Sequence, residues 1–354
     1  MPSDMKCFET ATGFPLKIGP HTLEEGAVNT YTIKLVRVAL AAMALVLAGH
    51  SQAQSNFPQR PIRVVTALPA GNDAYVRVLA ARFSEQMGQA VVVENRTGGS
   101  FVPPVQAVSS AAPDGHTLLL YSPVMQIAKQ LQPSLPFDPI GDIAAIAKIY
   151  EGSGGLLLVR LDSPFKSMQD IIAGARAAPG KLSFGGQIGG FGHLNTASFL
   201  AIAGIQAFHV PYKAPGDDMP ALLRGDIDFS FLATTLAMPQ VAAGKFRVLG
   251  VTSGTRMRAL PNAPTLVEVL KNDLLAQENW SGLAAPAKTP AELTTRLNAE
   301  TLKALADPTM RKVIQAGGNE PAAGGEPPEQ FSAFMRREYE KWGEIVKISG
   351  AKAN

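Results

Sequence analysis

The sequence predicts an α/β protein of two lobes, each a sheet flanked by helices, behind an N-terminal segment that belongs to neither. Three observations predict it. From Pro61 onward, short β-rich runs alternate with longer amphipathic stretches, the pattern of βαβ units and a mostly parallel sheet. The length of 354 residues exceeds one ordinary domain and suits two compact units, each able to bury its own core. Hydrophobic residues make up 46% of the chain against 17% charged, with 33 Gly and 27 Pro, which describes a packed chain with many turns and not a disordered or fibrous one.

The elements follow in order. Ile62 to Ala67 reads as the first strand, Pro69 to Asp73 as a turn, and Val76 to Met87 as an amphipathic helix stopped by Gly88. Ala90 to Glu94 is a second strand. A Gly-rich loop, Thr97 to Ser100, leads to a short helix near Val105 to Ala111, and Pro113-Asp114-Gly115 turns the chain into a strand over His116 to Tyr121. Ile143 to Tyr150 and Gly155 to Val159 are further strands. Ser167 and Asp170 form a capping box, with Asp in place of Glu, that opens a helix ending before Pro179-Gly180.

Leu182 to Gly185 restarts the alternation, followed by a helix over Leu194 to Ala203, a strand at Gln206 to Val210 and a helix near Asp218 to Leu223. Strands at Ile227 to Leu232 and Arg247 to Thr252 come next, and Trp280 to Ala284 precedes the C-terminal tail. From Pro290 to Ser349 there are three helical segments, restarted near Pro308 and Pro327, with no strand signal. Helices gathered at one end of a chain pack on something already built. The first lobe is therefore predicted to be discontinuous, 54–154 with 278–354, around a second lobe of 155–277. Two crossings result, near Gly154 and Gln277, and a paired crossing behaves as a hinge.

The N-terminus reads as a targeting segment. Lys34 and Arg37 precede an apolar run from Val38 to Ala48 that ends in Ser51-Gln52-Ala53, the basic, apolar and small-x-small pattern of a secretory signal. The run is too short for a membrane-spanning helix, which needs about 20 residues. Met1 to about Asn29 fits neither a signal nor a domain, so residues 1–53 are read as a start assigned too early, with Val28 the expected initiator, plus the signal peptide. Cleavage after Ala53 would remove Cys7, the single cysteine, and with it any disulfide, thiolate nucleophile or Cys-held metal. Four basic and four acidic residues lie up to Ala53, so the excess beyond it stays at +3, too weak to imply nucleic acid or membrane binding.

Five blocks, in order, carry a resemblance: Pro61 to Val65, Val91 to Arg96, Ala112 to Leu120, His209 to Lys213 and Leu260 to Thr265. They resemble the Bug family, the substrate-binding components of tripartite tricarboxylate transporters, over nearly the whole chain beyond the signal. The resemblance implies a periplasmic-binding-protein fold of the second type that closes on a small organic acid without catalysing a reaction. It implies a carboxylate held largely by backbone amides and ordered water, and no cofactor. A membrane component of such a transporter, or a sensor protein, would be the partner; the family is larger than its transporters, so a dedicated one need not exist.

The residues supply a physical reason for such a site. Loops after the strands are rich in glycine and open helices, whose N-termini bind carboxylates through free N–H groups and the positive end of the helix dipole. Open α/β sheets place ligands at the carboxyl ends of strands, where Leu68 to Asp73, Ser122 to Gln126 and Gly185 to His193 fall. The candidate ligand residues are Leu68, Ala70, Gly71, Asn72, Asp73 and Tyr75 after the first strand, with Ser122 and Met125 beside them. From the second lobe come Gly186, Gln187, Gly190, Phe191 and His193, with Thr234 and Thr235 as side-chain donors.

Two departures from the family pattern bear on the ligand. Where typical members read Pro-Gly-Gly-x-x-Asp, this chain reads Ala70 to Tyr75; where many have Asp-Asn, it has Leu232-Ala233. The second change removes an acid that could recognise an amino group. With Tyr75, Phe191, Met125, Leu232 and Leu68, it predicts a monocarboxylate with an apolar or aromatic body.

Competing chemistries lack their constellations. Gly190-Phe191-Gly192 starts a dinucleotide-binding G-x-G-x-x-G pattern that fails at Asn195, and the P-loop pattern is missing. H-E-x-x-H and G-x-S-x-G are missing as well, and the five histidines are scattered, so no metal site is expected. The alternative to a binding protein is a carboxylate lyase or hydrolase in the same cleft, with Asp73 as acid or base and His193 as its partner.

Overall fold

The computed structural model describes residues 57–351 apart from residue 72. The signal segment, the start at Val28, Cys7 and Asn72 lie outside the described residues. Two separate sheets organise the rest.

The first is built from β1 (Ile62–Thr66), β2 (Val91–Asn95), β3 (Thr117–Tyr121), β4 (Ile143–Ser153), β10 (Glu278–Pro286) and β11 (Glu320–Pro321), in the order β11-β4-β10-β3-β1-β2. The second comprises β5 (Leu156–Arg160), β6 (Ser183–Gln187), β7 (Phe208–Tyr212), β8 (Phe229–Leu232) and β9 (Phe246–Val251), ordered β7-β6-β8-β5-β9.

The sheets are mixed, which corrects the mostly parallel expectation. The βαβ units do pair in parallel, β1 with β2 and β3, and β6 with β7 and β8. The strands that carry the chain between sheets run the other way. β10 lies antiparallel to β4 from Glu278 opposite Ser153 to Pro286 opposite Ile143, and β5 is antiparallel to both β8 and β9. A strand that leaves one sheet and a strand that returns to it meet head to tail, and this reverses the local sense.

Helices cover both sheets. In the first lobe these are α1 (Ala74–Met87), α2 (Val102–Ser109) and α3 (Pro123–Leu131), joined late in the chain by α9 (Ala291–Ala306), α10 (Pro308–Ala316) and α11 (Pro328–Ser349). α1 buries Val76, Leu79, Ala80 and Phe83, a helical stripe, and ends on Gly88 in the left-handed conformation, where the missing Cβ removes the usual penalty. α9 and α11 pack on β4, and Phe331 of α11 lies against Trp280 of β10 in the core with Val65, Leu119 and Tyr121.

The second lobe carries α4 (Met168–Ala177), α5 (Phe191–Ala203), α6 (Met219–Arg224), α7 (Thr234–Ala242) and α8 (Leu266–Leu270). α4 opens on the predicted capping box: the Asp170 N–H donates to Ser167 Oγ at 3.2 Å, and the Ser167 N–H donates to Asp170 Oδ2 at 2.9 Å. Phe184, Phe199, Phe229 and Phe231 fill the core between α5 and the sheet. Among the described residues no helix is long and apolar enough to cross a membrane.

A candidate ligand cleft between the lobes

A cavity of about 800 Å³ opens where the two sheets' loops face each other. α3 presents one stripe to it, Val124, Ile127, Ala128 and Leu131, at the spacing of successive helical turns. Opposite lie Gly186 to Gly192, from the end of β6 into α5, and Phe231 to Leu236, from the end of β8 into α7. Gly154 and Asn279, where the chain crosses between sheets, form its back, with Asn319 beside them. Ser100 and Phe101 complete the first-lobe side. Both have positive φ, 50° and 69°, rare for residues other than glycine and costing about 1–3 kcal/mol each.

Two helix N-termini end at this cavity. α5 begins after Gly190 and α7 after Ala233, and neither cap residue supplies a side-chain hydrogen bond to its first turn. The N–H groups at the start of a helix point out of its end, which carries a partial positive charge, and both ends face the cavity. Glycine is required on the α5 side. A Cβ on Gly192 would fall 2.5 Å from the Phe231 carbonyl oxygen, so a larger residue would force the two ends apart. Among the described residues, no Lys or Arg lines the cavity.

Of the residues singled out from the sequence, Gly186, Gln187, Gly190, Phe191, Thr234 and Thr235 line this cavity. Leu232, read as part of an apolar cleft, lines it too. The others lie elsewhere. Met125 is 1% exposed and packs in the first-lobe core. Leu68 is half-buried, Ala70 and Gly71 are exposed on the turn before α1, and Ser122 is the cap residue of α3, one turn behind the lining face.

Asp73 is buried and committed to its neighbours. Its carboxylate accepts from Asn95 Nδ2 at 2.9 Å and from the Gly71 N–H at 3.2 Å, and pairs with Arg77 at 2.8 Å. Burial would raise its pKa, but the hydrogen bonds and the Arg77 charge outweigh that and hold it below the usual carboxylate value. The Tyr75 hydroxyl donates to Ser281 Oγ at 3.2 Å and its ring meets Tyr150 edge-on at 5.2 Å. Burial first, and Tyr150 second, push its phenol well above the ordinary value.

His193 sits in the first turn of α5 but is turned into a ring stack, its centroid 4.5 Å from that of His209. Its Nδ1 accepts the Gly189 N–H at 3.1 Å, and burial, with His209 second, lowers its pKa to about 4. It is therefore a neutral imidazole that braces the glycine loop. No described group of three or more His, Cys, Asp or Glu is arranged to hold a metal ion.

Several lining residues escaped the sequence reading. No helix is predicted over 123–131, although Pro123 after a strand is a helix-start signal. Tyr212, Asn279 and Asn319 come from different parts of the chain, and no local motif joins them. Asp218 was read only as the start of a helix; it lines the cavity with 2% of its surface exposed.

Two lobes, a paired crossing and a cleft between them are the architecture of a solute-binding protein. The family described as "Tripartite tricarboxylate transporter family receptor" matches residues 75–351. The chain belongs to that family, the group whose resemblance the five sequence blocks carry. A Cupriavidus necator relative, "UPF0065 protein in gbd 5'region", is 36% identical over 324 residues, covering 89% of this chain and 96% of that one. Among solved structures, "R. palustris Rpa4515 with adipate" is similar at a TM-score of 0.70 and 28% identity, covering 84% of this chain and 99% of that one. "Structure of periplasmic binding protein BugD" is similar at 0.68 and 26%, covering 84% and 100%.

Proposed function

We propose that this chain is exported to the periplasm through the segment ending at Ala53 and captures a small organic carboxylate in the interlobe cavity, for uptake or sensing. The observation that carries this is the pair of helix N-termini, at Gly190–Phe191 and Ala233–Thr234, that open into a cavity lined by no Lys or Arg. Such a site binds an anion through neutral donors. The relative solved with adipate supports the ligand class. The lobes divide at 154/155 and 277/278, and the closed form is presented to a membrane component of a tripartite tricarboxylate transporter or to a sensor. Gly186, Gln187, Gly190, Phe191, Thr234 and Thr235 are the contacts we assign from the second lobe.

A thermal-shift panel of organic acids tests this. Ligand binding stabilises the native state by RT ln(1 + [L]/Kd), so an acid at about a hundredfold its Kd adds roughly 2.7 kcal/mol and raises the melting temperature. The amide of the best acid keeps the body and loses the charge that the helix ends favour, so it should give a much smaller shift. Equal shifts from acid and amide would show that the body alone drives binding and would overturn the carboxylate cradle.

A further inference from the structure

We infer that Asp218 sets the ligand's chemistry: the cavity takes a carboxylic acid that also carries a protonated amine, and the Asp218 carboxylate holds that amine. This rests on the cavity being the ligand site. It departs from the expectation of a monocarboxylate with an apolar or aromatic body.

Asp218 occupies the cap position of α6, where an aspartate usually accepts from its own helix's first turn, yet its side chain makes no such bond. It is turned inward, almost fully buried, and reaches the cavity wall. Ser230, itself wholly buried on β8, donates its hydroxyl to Asp218 Oδ2. No salt bridge among the described residues involves Asp218, and the charged neighbour acting on it is another acid, Asp217. Burial accordingly raises its pKa, against smaller support from Ser230 and nearby backbone amides. A buried carboxylate whose side-chain support is one hydroxyl is costly unless a cation joins it, and here the open side is the cavity.

The position suits a two-ended ligand. Asp218 packs over β6, where a Cβ on Gly185 would fall 2.5 Å from its own Cβ, and Gly186 beside it starts the loop that leads to the α5 N-terminus. Ser230 lies three residues before Ala233, the cap of α7, which is on the order of 10 Å along an extended chain. An acceptor thus stands within a small molecule's length of both donor ends.

The test compares matched pairs by calorimetry on the exported protein: pentanoate with 5-aminopentanoate, glutarate with glutamate, adipate with 2-aminoadipate, and pentylamine alone. In at least one pair the amino acid should bind about tenfold or more tightly than its partner, the worth of one charge-assisted hydrogen bond. Asp218→Asn should abolish that margin. Ser230→Ala, which removes only the supporting hydroxyl, should narrow it. Acids that bind with no preference for the amine, or a margin that survives Asp218→Asn, would overturn the role of Asp218 and leave the carboxylate reading standing. Pentylamine binding as tightly as 5-aminopentanoate would support Asp218 and sink the carboxylate reading. No binding by any probe would sink both.

Discussion

His193 shows how a residue can shape the cavity's architecture without lining it. Its Nδ1 accepts the Gly189 N–H, so that nitrogen carries no proton, and any proton on the neutral ring sits on Nε2. Protonating the ring would break this bond and place a charge in a stack with His209 and Phe184. The lowered pKa, about 4 against an ordinary 6.5, fixes the sign. Between these values the unfolded chain binds the extra proton and the folded chain does not, so stability falls as pH drops from about 6.5 toward 4 and levels off below. Urea midpoints measured from pH 7 to pH 4.5 should therefore decline, and His193→Gln should flatten part of that slope. An identical slope in the variant would show that other groups account for it.

At the scale of the element, α11 has two jobs along its length. Its first half carries Phe331 into the first-lobe core, while Trp342, Ile345 and Val346 near its end pack between Ile127 of α3 and Leu194 of α5. Trp342 also meets the Phe191 ring edge-on at 5.1 Å, so a helix rooted in one lobe touches the loop that lines the cleft in the other. Replacing this fully buried indole with Ala should cost about 3–5 kcal/mol in urea unfolding. Trp342→Phe should cost far less, because the ring is kept and the buried Nε1, which has no hydrogen-bond partner among the described residues, is removed. Equal losses for the two would contradict this account. The sequence read α11 correctly as a helix from Pro327 onward, since start signals and apolar spacing are local. Its bridging of both lobes was not legible, because Ile127, Leu194 and Trp342 are brought together only by tertiary packing. The same holds for the site: the glycine run at Gly186 to Gly192 advertises itself, whereas α3 is only nine residues long and α7 carries an internal proline, Pro239. Asp218 matched no motif at all.

At the scale of the whole molecule, the crossings form one hydrogen-bonded joint. The Gly154 N–H donates to the Gln277 carbonyl at 3.1 Å, Thr252 Oγ1 donates to the same oxygen at 2.8 Å, and the Gly155 N–H donates to Thr252 Oγ1 at 2.9 Å. A Cβ on Gly154 would stand 2.3 Å from that carbonyl oxygen, so only glycine lets the two crossings lie this close. Bound together, they bend as a unit and give the lobes a single axis. Away from the crossings' own hydrogen bonds the lobes also touch: a Cβ on Gly189 would fall 2.8 Å from Leu131 Cδ1, and one on Gly318 would fall 2.8 Å from Thr234 Cγ2. Opening about this axis would part those contacts, and closing would restore them. We therefore expect the free protein in solution to sample a wider form and the ligand-saturated protein to contract toward the compact value, a radius of gyration of about 19 Å for the roughly 300 residues beyond Ala53. Small-angle scattering with and without a saturating acid measures this directly. Because Trp342 packs on residues of both lobes close to the axis, the contraction should be small but reproducible, and Trp342→Ala should enlarge the difference by loosening the free form. An unchanged radius of gyration, with binding established independently by calorimetry, would mean that the ligand enters without the lobes moving apart.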